Sequence, residues 1–295
     1  MIKGMERVKQ IVHAKDVYKR GYTGKGIRIA LLDTGVFLHE NIVNQVIYFK
    51  DYIQSKTSCY DDNGHGTHIA GILCGGNHKT TKTAIGIAPK AELLVFKILD
   101  KSGNGSTQKV LDALDWILKN HRKWNIKLLN FSMGYRQNAN PIMQKKLIEK
   151  LEQLWDEGVT VITAAGNNGP EENSVTVPGV SRKVITVGSS DDVLGESGGF
   201  GGRGPTSCCI IKPEILAPGS GILSLSNKQG QYQKKSGTSM SAPIVCGALA
   251  LVLEKNPELK PVELKLLLYD TVDPVKHKNV NAWGILNVDN LIKML

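Results

Sequence analysis

Two histidines three residues apart, His65 and His68, stand in the stretch DDNGHGTHIAGIL, at the head of an apolar run with helical spacing. Positions i and i+3 share a helix face, so the pair reads either as two metal ligands or as one catalytic base beside a bystander. Three other residues able to do chemistry lie far away in the chain: Asp33 in LLDTG, Asn167 in AAGNNGP and Ser239 in SGTSMSAP. A serine attacks a carbonyl at neutral pH only when a base takes its proton, and the base needs a third group to hold its tautomer and stabilise its cation. Ser239, His65 and Asp33 are the minimal set for that chemistry. The negative oxygen formed on the carbonyl needs preorganised donors, which the Asn167 amide and the Ser239 backbone N–H at a helix N-terminus would supply.

Residues so far apart act together only if a fold gathers them. Residues 27–33, 92–99, 126–134, 159–166, 184–190 and 214–219 read as nearly continuous apolar runs, the pattern of a parallel sheet covered on both faces. Helical patterns alternate with them at 65–75, 107–122, 142–157, 239–254 and 261–270. The alternation predicts an α/β fold, a doubly wound and mostly parallel sheet with helices on both faces, in one domain spanning residues 1–295. In such a sheet chemistry collects at the carboxyl ends of the strands, where Asp33 and Asn167 fall. Around Ser239, Gly237 permits close approach of a substrate and Thr238 is a candidate N-cap. Pro243 cannot donate to the Ser239 carbonyl, which predicts a loosened first turn.

Composition narrows the classes. The 295 residues carry a formal charge of +10, with 41% apolar, 22% charged and 6% aromatic residues. The lysines are scattered and no aromatic stacking platform or DNA-binding motif accompanies them, which argues against nucleic acid as a partner. No signal-peptide h-region and no uninterrupted apolar stretch of membrane-spanning length is visible, so neither secretion nor a membrane partner is expected. Five cysteines, an odd number without CxxC spacing, suggest neither a disulfide framework nor a zinc site and fit a reducing cytoplasm. Cys246 and the pair Cys208 and Cys209 are expected to pack inside.

In order along the chain, LLDTG, NGHGTHIAG, GIAP, NFSMG, AAGNNG, KPEILAPG and GTSMSAP resemble the subtilisin-type serine proteases, the subtilases, over roughly residues 20 to 255. The chain order Asp, His, Ser is the one subtilisin uses. The resemblance implies a serine endopeptidase with Asp33, His65 and Ser239 as its triad and Asn167 in the oxyanion hole; the first histidine of HGTH is the catalytic one. It also implies that Gly103, Asn104 and Gly105, with Ser132, Met133 and Gly134, hold the substrate backbone as an added strand. Ser132 to Gly134 together with Ala165 and Gly166 would border the first specificity pocket, with Asn168 and Thr176 at its rim or base.

Many secreted members of that family hold a calcium ion between an aspartate after the first strand and an Asn-rich loop. Here Asn41 stands near the aspartate position and the loop GGNHKTTKTAIG bears lysines, so this site is expected to be missing and no cofactor is expected. About 20 residues precede the core motifs, an arrangement similar to the intracellular branch, and residues 256–295 read as a helical cover. The expected substrate is a polypeptide or peptide precursor, such as a leader to be trimmed. The basic charge favours an acidic peptide; Glu171 and Glu172 beside the pocket read first as solvated loop carboxylates and otherwise as a preference for a basic residue. The competing class is a catalytically silent subtilase fold that binds a partner. Oligomeric state is left open. With no third ligand and no glutamate beside it, the histidine pair is not a metal set, and His68 is expected to hydrogen-bond locally and support the site.

Overall fold

The computed structural model describes residues 3–77, 85–134, 140–195, 199–275 and 281–295. Along the chain its elements are α1 (Lys3–Ile11), α2 (Lys15–Lys19), β1 (Arg28–Asp33), β2 (Val46–Asp51), α3 (His65–Cys74), β3 (Glu92–Lys97) and α4 (Thr107–Trp124). There follow β4 (Ile126–Phe131), α5 (Pro141–Asp156), β5 (Thr160–Ala164), β6 (Ile185–Ser189), α6 (Asp191–Leu194), β7 (Ile215–Ala217), β8 (Ile222–Leu225) and β9 (Tyr232–Lys235). The last are α7 (Thr238–Lys255), α8 (Pro261–Thr271), β10 (Gly284–Ile285) and α9 (Val288–Lys293).

Eight strands form one parallel sheet in the order β10-β7-β6-β5-β4-β1-β3-β2. Its central strands are buried on both faces, which is why their sequences are apolar without alternation. Two apolar layers cover it. Ile69, Ile72 and Leu73 of α3 pack with Val245, Leu249 and Val252 of α7 on one face. Val110, Leu114 and Ile117 of α4 pack with Leu147, Leu151 and Leu154 of α5 on the other. β1 lies between β4 and β3, so the chain winds outward from it in both directions and leaves a crevice at its carboxyl end.

Local signals fix the helix ends. Ser106 accepts from the Lys109 N–H to start α4, and Asn125 closes it in the left-handed region. Asn140 accepts from the Met143 N–H ahead of Pro141 at the start of α5. α7 is long and apolar enough by composition to cross a membrane, but it is buried almost throughout as the central core helix. It opens with an i to i−3 bond from Met240 N–H to the Gly237 carbonyl and runs unbroken through Pro243 to Lys255.

Three expectations are corrected. The segment 256–295 is more than a helical cover, because β10 pairs with β7 and completes the sheet. Cys208 and Cys209 do not pack inside: they are exposed at the tip of a tight turn closed by Cys209 N–H to Thr206 O, with Cys209 at φ 56°. Cys246 is buried as expected. Thr238 is not the N-cap of α7; it is the first helical residue, Gly237 precedes it without a side-chain cap, and its hydroxyl is used elsewhere. The lysine-bearing loop expected to lack calcium ligands lies, from residue 78 to 84, outside the described residues.

Candidate active site

Four neighbouring strands, β5, β4, β1 and β3, deliver the singled-out residues at their carboxyl ends. Ala165, Gly166 and Asn167 follow β5; Ser132, Met133 and Gly134 follow β4; Asp33 ends β1; and Gly103, Asn104 and Gly105 follow β3. His65 opens α3 and Ser239 stands second in α7, two helices that pack together on one face of the sheet.

Asp33 is fully buried, and its Oδ1 lies 2.7 Å from His65 Nδ1 while also accepting from the Thr34 N–H at 2.7 Å. Its Oδ2 is buried without a hydrogen-bond partner. His65 itself is about a quarter exposed, so one edge of the ring faces the crevice. Burial presses its pKa down, but the charge and hydrogen bond of Asp33 outweigh this and the net shift is upward. The close approach needs glycine at Gly66, where a Cβ would sit 2.1 Å from the Gly35 carbonyl and 3.2 Å from Asp33.

A second carboxylate joins the end of β1 to the start of α3. Asp61 accepts from Thr34 Oγ1, Asn63 N and Gly64 N with one oxygen and from Thr67 N and Thr67 Oγ1 with the other. It therefore ties the residue after Asp33 to the residues on either side of His65. Sequence reasoning passed over Asp61, although an aspartate four residues before a candidate base was there to read.

Ser239 is half-buried at the start of α7. Asn167 is bound to the same turn: its Oδ1 accepts from the Thr238 N–H at 2.9 Å and from Thr238 Oγ1 at 3.2 Å, which leaves its NH2 for another acceptor. Thr238 Oγ1 also accepts from the Gly166 N–H at 3.0 Å. The hydroxyl misread as a cap thus joins the turn before Ser239 to the strand end that carries Asn167.

Thr176, expected at the pocket's rim or base, lies between the two segments expected to border it. Its N–H donates to Ala165 O at 2.9 Å, and a Cβ on Gly134 would fall 2.0 Å from its Oγ1, so the segments after β4 and β5 meet across it. Ser132 is buried and takes a hydrogen bond from Asn130. Asn168, Glu171 and Glu172 are exposed. Gly103 to Gly105 form a turn in which Asp100 accepts from the Asn104 N–H, and Asn63 Nδ2 tethers it through Lys101 O at 3.0 Å.

His68 faces away from this chemistry. It is fully buried, with Nε2 3.0 Å from Ile222 O and 3.1 Å from Gln233 O, partners on β8 and β9 and not the local ones expected. The two histidines therefore share no ligand, and among the described residues no cluster of three metal-ligating side chains occurs.

Near the expected calcium position, Asn41 Oδ1 accepts from the Tyr232 hydroxyl at 2.9 Å, and its Nδ2 donates to Asn77 O at 2.7 Å. Asn41 Oδ1 and Asn77 O therefore each accept from a protein donor.

Comparison with known proteins gives the family and the fold. The profile of the subtilase family, Peptidase S8, matches residues 24–286. The chain is 36% identical over 307 residues to serine protease AprX of Bacillus subtilis, covering 95% of this chain and 70% of that protein. It is 30% identical over 278 residues to Subtilisin Savinase of Lederbergia lenta, covering 94% and 95% of the two chains. Among solved structures, Sphericase superposes with a TM-score of 0.78 at 28% identity, over 90% of this chain and 92% of that one. A cold-adapted subtilisin-like serine proteinase gives 0.73 at 28% identity, over 90% of each.

Proposed function

This chain belongs to the subtilase family and is a subtilisin-like serine endopeptidase, and from that premise we propose that Asp33, His65 and Ser239 are its triad and Asn167 its oxyanion donor. The observation that carries the assignment is the 2.7 Å contact between His65 Nδ1 and the buried Asp33 carboxylate. Asp33 holds the proton on Nδ1, so Nε2 is free to take the Ser239 proton as Oγ attacks the carbonyl. The Asn167 NH2, aimed by its Oδ1 contacts to Thr238, stabilises the resulting oxyanion with the Ser239 N–H. The imidazolium then protonates the leaving amine, and water hydrolyses the acyl-enzyme by the same path.

Ser132 to Gly134 and Gly103 to Gly105 hold the substrate backbone, and Ala165 and Gly166 complete the pocket wall. We propose no resident metal at Asn41, since its amide is committed to Tyr232 and Asn77. Five free cysteines, two of them exposed, support action in a reducing cytoplasm, and the charge of +10 supports an acidic peptide precursor as substrate.

A fluorophosphonate probe tests the triad, because Ser239 Oγ displaces fluoride from phosphorus only when His65 takes its proton. Wild-type protein should label at Ser239, and folded Ser239→Ala should neither label nor cleave, with a loss on the order of 10⁶-fold in kcat, a magnitude taken from subtilisin itself. A folded wild-type protein that fails to label would favour the silent, partner-binding alternative. Profiling with a random peptide library in reducing buffer separates the two proteolytic roles: a narrow acidic motif supports trimming, and an unselective profile supports general turnover.

A further inference from the structure

We propose that Lys235 makes this peptidase prefer an acidic residue immediately after the cleaved bond; the inference rests on the serine-peptidase reading above. Lys235 ends β9, in the antiparallel ladder where Ile222 pairs with Lys235 and Ser224 with Gln233. Alternate residues of a strand share a face, so Gln233 and Lys235 project the same way. Gln233 shows where that face looks, because its Nε2 reaches the carbonyl of Gly64, the residue before His65, at 3.3 Å. Lys235 therefore leans toward the opening of α3, and only Ser236, Gly237 and Thr238 separate it from Ser239.

Its charge is felt in the site, since it opposes protonation of both His65 and His68. Lys235 is half-buried and makes no ion pair among the described residues. The nearby carboxylates engage other groups: Asp33 Oδ1 meets His65 and Thr34, its Oδ2 is buried, and Asp61 accepts from five donors. Lys234, whose side chain alternates to the other face, is exposed.

The side of the bond follows from the mechanism. The acyl portion of a substrate belongs to the β4 and β5 ends, where Ser132 to Gly134, Ala165, Gly166 and Asn167 lie. The leaving amine takes its proton from His65, so the residue carrying that amine departs along α3 and β9. An unpaired, partly desolvated ammonium there attracts a carboxylate and repels a lysine or arginine.

The test uses three quenched fluorescent peptides identical except for Glu, Gln or Lys at the first position after the cleaved bond. Wild-type enzyme should cleave the Glu peptide about 10-fold faster in kcat/KM than the Lys peptide at about 50 mM salt, and raising salt to about 1 M should shrink the ratio. Lys235→Gln should bring the ratio near one and Lys235→Glu should invert it. An equal ratio in wild type and Lys235→Gln overturns the proposal while leaving the peptidase reading intact. Failure of the wild type to cleave even the Gln peptide overturns that reading and this one with it.

Discussion

One oxygen of Asp33 serves both the Thr34 N–H and His65 Nδ1, so the carboxylate that meets the imidazole is itself fixed by the backbone of the next residue. Removing the charge while keeping the shape isolates this effect. Asp33→Asn should lower kcat about 10⁴-fold, because an amide facing Nδ1 favours the wrong tautomer. It should also move the acid limb of the kcat/KM profile to lower pH. In the proposed mechanism activity requires neutral His65, and Asp33 holds the His65 pKa above its ordinary value, so losing the charge lets the ring deprotonate at lower pH. A residual activity with the limb unmoved would show that Asp33 does not act on His65.

At the scale of elements, α3 and the β8–β9 hairpin share the task of placing the site. His68 joins them through two carbonyls, and burial holds its pKa down to about 4, with Lys235 and His65 adding repulsion against the opposing backbone bonds. The unfolded chain takes this proton near the ordinary value of about 6.5, so between about 6.5 and 4 it binds more protons than the folded state. Stability should therefore fall as pH drops through that window, by up to about 3 kcal/mol from this group. Denaturant unfolding at several pH values in wild type and His68→Asn checks it: the variant should be less stable near neutrality and flatter with pH. An equal pH dependence in both would remove His68 from the account.

The same hairpin shows what the sequence could not convey. The strands β1 and β3 to β7 were legible because burial on both faces leaves uninterrupted apolar runs. β9, with the sequence YQKK, carries no such signal, since its side chains are partly exposed and its place depends on pairing with β8. Asp33, His65, Asn167 and Ser239 could be singled out as candidates from their residue types and motifs, and the family resemblance supplied their proposed roles. The linking roles of Thr238 and Asp61, and the direction of Lys235, exist only once distant segments meet.

For the molecule as a whole, the question is what holds a sheet of this size together. Both faces are sealed by continuous apolar layers, and the C-terminal segment is locked to the sheet by polar contacts as well as by β10. Lys212, fully buried, and Lys265 of α8 both pair with Glu214, at 2.5 and 2.8 Å, and Lys265 also donates to the carbonyls of Arg182 and Val184. At the opposite side of the sheet, the Asn41, Asn77 and Tyr232 contacts link the turn after β1, the segment after α3 and β9 directly. Where a bound cation would join such segments, it would stabilise only the folded state and raise the melting temperature with its concentration. On the proposal that no metal resides at Asn41, neither excess calcium nor a strong chelator should move the melting midpoint by more than about 1 °C, whereas Tyr232→Phe, which removes one donor to Asn41, should lower stability by about 1 kcal/mol. A chelator-induced drop of about 5 °C or more would mean that an ion, and not this hydrogen-bonded junction, carries part of the stability.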